Sequence, residues 1–185
     1  MDIIKERYPQ FSIVSPDEFK EAMWDRYGFD DLKGKESCID KAWTAYYEAM
    51  KENMHQGISM LSDYPFSVKQ KERILELAKC YNFQILTIRL VADLDVLYER
   101  QRKRDLDPTR HPGHIVGSYH KGMNLENRED QPCMVPYEEF MDRCKNRGYG
   151  TFSLGTLLKE VDVSDFSKVD YTDLMMELEQ QLNDE

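Results

Sequence analysis

The sequence has few of the features that mark membrane proteins or disulfide-bonded secreted proteins. No apolar run among its 185 residues is long enough to span a bilayer, and the first residues, MDIIKE, do not form a signal-peptide pattern. The cysteines are scattered rather than closely paired, which argues against a zinc site and is typical of reduced thiols. They are Cys38, Cys80, Cys133 and Cys144. We therefore expect a cytoplasmic protein without membrane contact.

Positive charge is also in short supply. The chain has 25 lysines and arginines against 35 aspartates and glutamates, which gives a net charge of -10. An acidic surface repels the phosphate backbone, so nucleic acid is not an expected partner. The content of 41% hydrophobic and 32% charged residues is that of a globular protein. We expect one domain over residues 1–185.

Short apolar segments alternate with amphipathic ones along the chain. Strands are predicted at residues 11–14, 58–62, 84–90 and 160–163. Helices are predicted at residues 2–8, from Ser15 onward, and at 36–56, 67–81, 136–147 and 171–182, with a further helix after Asp93. The helix over 36–56 repeats aromatic residues and methionines at helical spacing, which favours a core face over a cofactor site. Strands alternating with helices predict an α/β fold with a parallel sheet and right-handed crossovers.

Two aspartates stand where predicted strands end. Asp17 belongs to a Ser-Pro-Asp-Glu sequence in which Ser15 and Glu18 predict a capping box, and Asp63 follows the second strand. An aspartate in a first helical turn can simply complement the helix dipole. The alternative is functional, because α/β folds bind ligands at the carboxyl ends of their strands.

The third predicted strand leads into the most basic stretch of the chain. It contains Arg100, Arg102, Lys103, Arg104 and Arg110, followed by His111-Pro-Gly-His114. The stretch can be a solvated helix end whose cations complement the helix dipole, or a mobile lid whose arginines close on phosphate oxygens. For the two histidines, a turn in which His114 touches substrate or phosphate is favoured over a metal site, because further ligands are not evident.

A glycine-rich phosphate loop is missing. Gly117 and Gly122 have the spacing of such a loop, but Met123 stands where lysine is required. Gly150 and Gly155 are followed by Thr156. Neither pair lies between a predicted strand and a predicted helix, so we interpret both as chance matches.

The order of these features resembles the P-loop kinases, particularly small AAA-type ATP-binding kinases, with zeta toxins and polynucleotide kinases as relatives. The features are a strand before Ser-Pro-Asp, a strand ending in aspartate, Arg100-x-x-x-Arg104, Arg-His-Pro-Gly-His and a late Val-Asp-Val strand. The resemblance covers about residues 2–182. It implies a three-layer parallel-sheet sandwich of the P-loop kinase type that lacks its first strand and phosphate loop. It also implies a lid and an insertion at about residues 100–136.

The resemblance implies roles for individual residues. Asp17 matches the carboxylate that orients or deprotonates the acceptor hydroxyl, and Asp63 matches a Walker-B-type acid that holds Mg²⁺. Arg100 and Arg104 match catalytic lid arginines. Arg110 and His114 are expected to contact bound ATP.

Two functions remain open at this point. The first is an ATP- and Mg²⁺-dependent phosphotransferase acting on a hydroxyl of a small molecule, nucleoside or nucleotide. In that case the sequence would be start-truncated and inactive as given. The second is a degenerate kinase-like protein that binds a nucleotide or a protein partner without turnover. A nucleic-acid-end kinase is a weaker third reading, because the chain is acidic.

The resemblance to the P-loop kinases implies that the absent first strand would lie between the second and third predicted strands. We expect that gap to close by direct pairing of those strands, by insertion of another segment, or by homo-oligomer formation through the exposed sheet edges.

Overall fold

The computed structural model describes residues 1–183, which form helices, short strands and two 3-10 turns. The helices are α1 (Asp2–Arg7), α2 (Pro16–Tyr27), α3 (Leu32–His55), α4 (Val68–Tyr81), α5 (Leu94–Leu106), α6 (Tyr137–Asn146) and α7 (Thr172–Asn183). The strands are β1 (Ser12–Ile13), β2 (Met60–Leu61), β3 (Leu86–Val91) and β4 (Thr156–Asp162), and the 3-10 turns are Pro112–His114 and Phe166–Lys168. Within residues 1–183, no helix has both the length and the apolar character needed to cross a membrane.

Local sequence signals explain where several helices begin. The side chain of Asp31 accepts a hydrogen bond from the Gly34 amide at 2.7 Å, so α3 begins four residues before the predicted position 36. The predicted capping box of Ser15 and Glu18 is wrong, because the Ser15 side chain makes no capping hydrogen bond and α2 begins instead with a proline in its first turn. A capping box does occur at α4, between Ser67 and Gln70.

The strands pair in parallel, as predicted, but in two separate sheets. β1 pairs with β2, and β3 pairs with β4 from Leu86 opposite Thr156 to Val91 opposite Asp162. No hydrogen-bonded ladder joins β2 to β3 in the described part of the chain, so the two strands do not close the gap by direct pairing. The parallel α/β character is thus confirmed, whereas one continuous sheet is not seen.

Two hydrophobic clusters position the candidate site. The first packs the inward face of α3, including Tyr46, Met50 and Met54, against α4 and the ends of both sheets. This confirms the core interpretation for those residues. The second cluster contains Trp24, Phe29 and Cys38. It also contains three residues from a segment that is distant in sequence, namely Ile115, Val116 and Tyr119.

Candidate functional site

Asp17 and Asp63 lie at the same end of the first sheet. Asp17 is in the first turn of α2, which begins three residues after β1 ends. Asp63 lies two residues after the end of β2. Because β1 and β2 are parallel, their carboxyl ends meet at one edge, and this edge carries both carboxylates.

Asp17 forms ion pairs with two cationic side chains. Its Oδ1 lies 3.0 Å from Nζ of Lys20, and its Oδ2 lies 3.1 Å from a terminal nitrogen of Arg110. Lys20 is one turn further along α2, and its side chain is only 11% exposed. The Lys20 ammonium also donates to the Tyr64 hydroxyl at 2.9 Å. One ammonium group therefore connects the start of α2 to the loop that follows Asp63.

These contacts keep Asp17 ionised. Burial alone would raise the pKa of the carboxyl. The charges of Lys20 and Arg110, the hydrogen bond from Lys20 and the charge that His114 carries once it is protonated together lower this pKa to about 2. A carboxylate of such low pKa is a weak base. It is suited to accept a hydrogen bond from a hydroxyl and to orient it, and it can take the hydroxyl proton only as that proton becomes acidic in the transition state.

Residues 110–121, which we call the strap, are bound along α2 by three carboxylates four residues apart. Asp17, Glu21 and Asp25 share one face of the helix because i and i+4 positions are neighbours. Asp17 pairs with Arg110 as described above. Glu21 accepts from His114 at 2.8 Å and lies 3.8 Å from Arg110. Asp25 accepts from His111 at 3.2 Å, from Tyr119 at 2.6 Å and from Lys121 at 3.2 Å.

His114 is neutral and has a defined tautomer. Burial lowers its pKa despite the opposing effect of Glu21. An arginine nitrogen can only donate, so Nδ1 of His114 accepts a hydrogen bond from Arg110 at 3.0 Å. The proton of the ring is therefore on Nε2, which donates a hydrogen bond to Glu21. His114 therefore fixes the position of Arg110, which in turn contacts Asp17.

The strap is also packed against the core. Gly113 is buried, and a Cβ atom placed there would lie 2.4 Å from Cε3 of Trp24. Lys35 reaches under the strap and donates to the carbonyls of His114 at 3.3 Å and Val116 at 3.0 Å. Burial lowers the pKa of Lys35. In this structure Arg110 and His114 thus belong to a packed segment.

The other two predicted arginines lie apart from Asp17. Arg100 donates to the carbonyl of Val163 at 2.6 Å and to that of Ser164 at 2.9 Å, and its guanidinium lies 4.0 Å from the ring centre of Phe166. Arg104 is exposed, with its Nε 3.9 Å from Oδ1 of Asp105. The structure thus brings together Asp17, Arg110 and His114, and it leaves Arg100 and Arg104 outside their hydrogen-bond network.

Sequence reasoning missed Lys20, Glu21, Asp25, Lys35 and Tyr64. The spacing of Asp17, Glu21 and Asp25 was a usable signal, since it places three acids on one helical face. Lys20, Lys35 and Tyr64 carry no motif, and only the tertiary fold shows which partners they meet.

The donor set limits what metal binding this chain can provide. Residues 1–183 contain no group of three or more His, Cys, Asp and Glu side chains that could hold a metal ion. Asp63 is exposed and offers one carboxylate. Mg²⁺ commonly binds one or two carboxylates together with water and substrate phosphates, so Asp63 fits such a role only when a nucleotide supplies the remaining oxygens.

Neither glycine pair forms a phosphate loop. Gly150 and Gly155 precede a strand, β4, rather than a helix, and Gly117 and Gly122 lie in the long connection before α6. The interpretation of both pairs as chance matches agrees with these positions.

No family model matches the chain, and no curated protein sequence matches it. Among solved structures, a "putative kinase" from Chloroflexus aurantiacus J-10-fl is similar, with 26% sequence identity and a TM-score of 0.68. The match covers 92% of this chain and 83% of that chain. The α/β fold therefore resembles that of a protein described as a kinase, which favours a kinase-like function in general terms.

Proposed function

We propose that this chain has the acceptor side of a kinase-like phosphotransferase, which moves the terminal phosphoryl group of ATP to a hydroxyl of a small molecule, nucleoside or nucleotide. The observation that carries the proposal is the pairing of Asp17 with Lys20 and Arg110 at the sheet edge that also bears Asp63. The similarity to the Chloroflexus protein supports it independently.

Each of these groups has a chemical role in the proposal. A carboxylate oxygen can accept more than one hydrogen bond, so Asp17 can receive the acceptor hydroxyl while it stays bound to Lys20 and Arg110. The two cations neutralise charge that develops on the transferred phosphoryl group. Asp63 would contribute to Mg²⁺ binding together with ATP phosphates, and His114 would keep Arg110 in place. Arg104, which is exposed, would be the lid arginine available in this conformation.

The second candidate is a kinase-like protein that binds a ligand or partner without turnover. The observation that favours it is the absence of any Gly-x-x-x-x-Gly-Lys-Ser/Thr sequence among the 185 residues. Backbone amides of such a loop hold the β- and γ-phosphates in kinases that have it. For this reason we propose that the chain alone does not turn over ATP.

The test compares the chain with a chimera in which a strand and phosphate loop are joined ahead of Met1. We expect ATP-dependent phosphorylation of an acceptor panel by the folded chimera and background activity for the chain alone. Asp17→Asn in the chimera should lower kcat roughly 10²–10⁴-fold, the usual cost of losing a general base or its equivalent.

The matched control is Asp40→Asn, an exposed aspartate on α3 outside the site, which should leave kcat unchanged. A folded chimera without transfer to any acceptor would favour the non-catalytic candidate. An unchanged kcat for Asp17→Asn would reduce Asp17 to a residue that starts a helix and anchors the strap.

A further inference from the structure

We infer that the site binds an alcohol that carries a planar ring, and that this ring stacks on the aromatic wall formed by Trp43, Tyr47 and Tyr64. The inference rests on the proposed function in one respect, which is that the bound alcohol is the phosphoryl acceptor. Recognition of a ring at the wall is independent of turnover.

The wall is connected directly to Asp17. The Lys20 ammonium that binds Asp17 also bonds the Tyr64 hydroxyl, and it lies 4.3 Å from the ring centre of Tyr64 and 5.9 Å from that of Trp43. The ring centres of Trp43 and Tyr64 are 5.3 Å apart, and their planes are nearly perpendicular at 83°. A molecule of nucleoside size can therefore place a hydroxyl at Asp17 and a ring at the wall.

The burial of the wall distinguishes it from the core behind it. Tyr46, on the same helix, is 1% exposed and belongs to the main core cluster. Trp43, Tyr47 and Tyr64 are half-buried, so each of these residues keeps some exposure to solvent. Tyr47 continues the surface, because its ring lies at 27° to that of Trp43 with the centres 5.8 Å apart. Because Trp43 and Tyr64 are nearly perpendicular, a planar ligand can stack on one of the rings and meet its neighbour edge-on.

The charges at the wall restrict which ring-bearing molecule fits. Lys20 and Arg110 face Asp17. Glu21 lies 3.8 Å from Arg110, and Asp63 directly precedes Tyr64. Charges of both signs are therefore present, so a neutral ligand fits this part of the site better than a strongly charged one. A nucleoside meets these requirements, because it combines a neutral aromatic base with free hydroxyl groups.

The experiment measures binding by titration calorimetry without ATP. Adenosine and uridine are the ring-bearing probes, and ribose is the matched probe that keeps the hydroxyls but lacks the base. We expect at least one nucleoside to bind at least tenfold more tightly than ribose, since stacking on an aromatic side chain commonly contributes this much.

Two substitutions at one position separate the ring of Tyr64 from its hydroxyl. Tyr64→Phe should retain nucleoside binding within about threefold, whereas Tyr64→Leu should weaken it about tenfold or more. Tyr137→Leu is the control, because Tyr137 belongs to a separate aromatic pair with Tyr98 and bonds Asp95. It should leave binding unchanged.

The inference is overturned if neither nucleoside binds, if ribose binds as well as the nucleosides, or if Tyr64→Leu binds like the wild type. Should Tyr64→Leu fail to fold, the comparison of ribose with the nucleosides on the wild-type chain still decides. Nucleoside binding without transfer in the loop-bearing chimera would contradict the proposed kinase activity and leave the ring site standing.

Discussion

Arg100 and Arg104 lie one turn apart on α5, but only Arg100 is bound to the rest of the protein. Its two hydrogen bonds to the carbonyls of Val163 and Ser164 attach α5 to the end of β4. We expect Arg100→Ala to lower the free energy of unfolding by about 1.5–3 kcal/mol, because hydrogen bonds that involve a charged group contribute on that order. Arg104→Ala should change it by less than about 0.5 kcal/mol, as is usual for exposed side chains.

Urea denaturation of the two variants checks this pair. Equal stabilities for Arg100→Ala and the wild type would show that the carbonyl contacts contribute nothing, and Arg100 would then be free to serve as a lid arginine.

The pKa of Asp17 predicts how its contribution to stability depends on pH. The folded value of about 2 lies below the ordinary value of 3.8, so the stabilisation is complete above about pH 4 and is lost as pH falls towards 2. Asp17→Asn should therefore have a lower Tm than the wild type at pH 7. The difference in Tm should shrink below pH 4 and nearly vanish at pH 2.

Thermal melts of both proteins at pH 7, 4 and 2 measure this difference. Lys20 and Arg110 stay charged throughout. The Asp17 carboxylate raises the pKa of His114, so the difference between the two proteins reports Asp17 together with its coupling to His114. A difference in Tm that stays constant down to pH 2 would mean that the ion pairs do not stabilise the fold.

At the residue scale, the sequence identified candidate site residues whose role follows from their position at the end of a single strand. Asp17 and Asp63 could be identified because each follows a predicted strand, and strand ends in parallel sheets converge. Lys20 and Tyr64 could not, because their shared hydrogen bond joins a helix to a loop 44 positions away. Such a contact depends on packing that no local pattern encodes.

The strap approaches α2 closely at Gly113, because glycine has no side chain. At Gly113 a Cβ atom would lie 2.4 Å from the Trp24 ring, which is closer than atoms can pack. Gly113→Ala should lower the free energy of unfolding by about 1–3 kcal/mol, the usual cost of overpacking. It should also loosen the contacts of the strap with α2.

Gly150→Ala is the matched control, because nothing lies within 4 Å of the corresponding Cβ position. Chemical denaturation measures the stability, and near-ultraviolet circular dichroism, to which Trp24 contributes with the other aromatic residues, reports the loosening of the strap. Equal stability of both alanine variants would show that the strap can move away from Trp24 at no cost.

At the element scale, periodicity and turn residues predicted most helices to within a few residues. Asn82, which directly follows the helix predicted over 67–81, adopts the left-handed conformation with φ of 57°. The strands were less accurately predicted. β1 and β2 are two residues each, and β4 begins at Thr156 rather than at the predicted position 160. Strand limits depend on pairing with a distant partner, which composition alone does not specify.

For the whole molecule, the two separate sheets leave strand edges without partners among residues 1–183. β3 pairs with β4 on one side only, and Leu90 in β3 is 56% exposed. We propose that copies of the chain associate through these edges, because unpaired strand edges act as templates for further pairing. Leu90→Lys should shift the monomer–oligomer equilibrium towards the monomer, since a charged edge residue opposes strand addition.

Sedimentation velocity over a range of concentrations measures that equilibrium. Leu32→Lys is the control, because Leu32 is 60% exposed but lies at the start of α3, outside the strands. A wild-type chain that remains monomeric at all concentrations would contradict association through the edges.

The clamping of the strap onto α2 has a consequence for the order of folding. Arg110 and Asp17 are 93 positions apart, and Tyr119 and Asp25 are 94 apart, so their contacts close a loop of half the chain. Such long-range closure is slow compared with formation of the local contacts between α2 and α3. We infer that the candidate site is completed in the last steps of folding. In refolding experiments, the burial of Trp24 by the strap should lag behind the gain of helical circular dichroism.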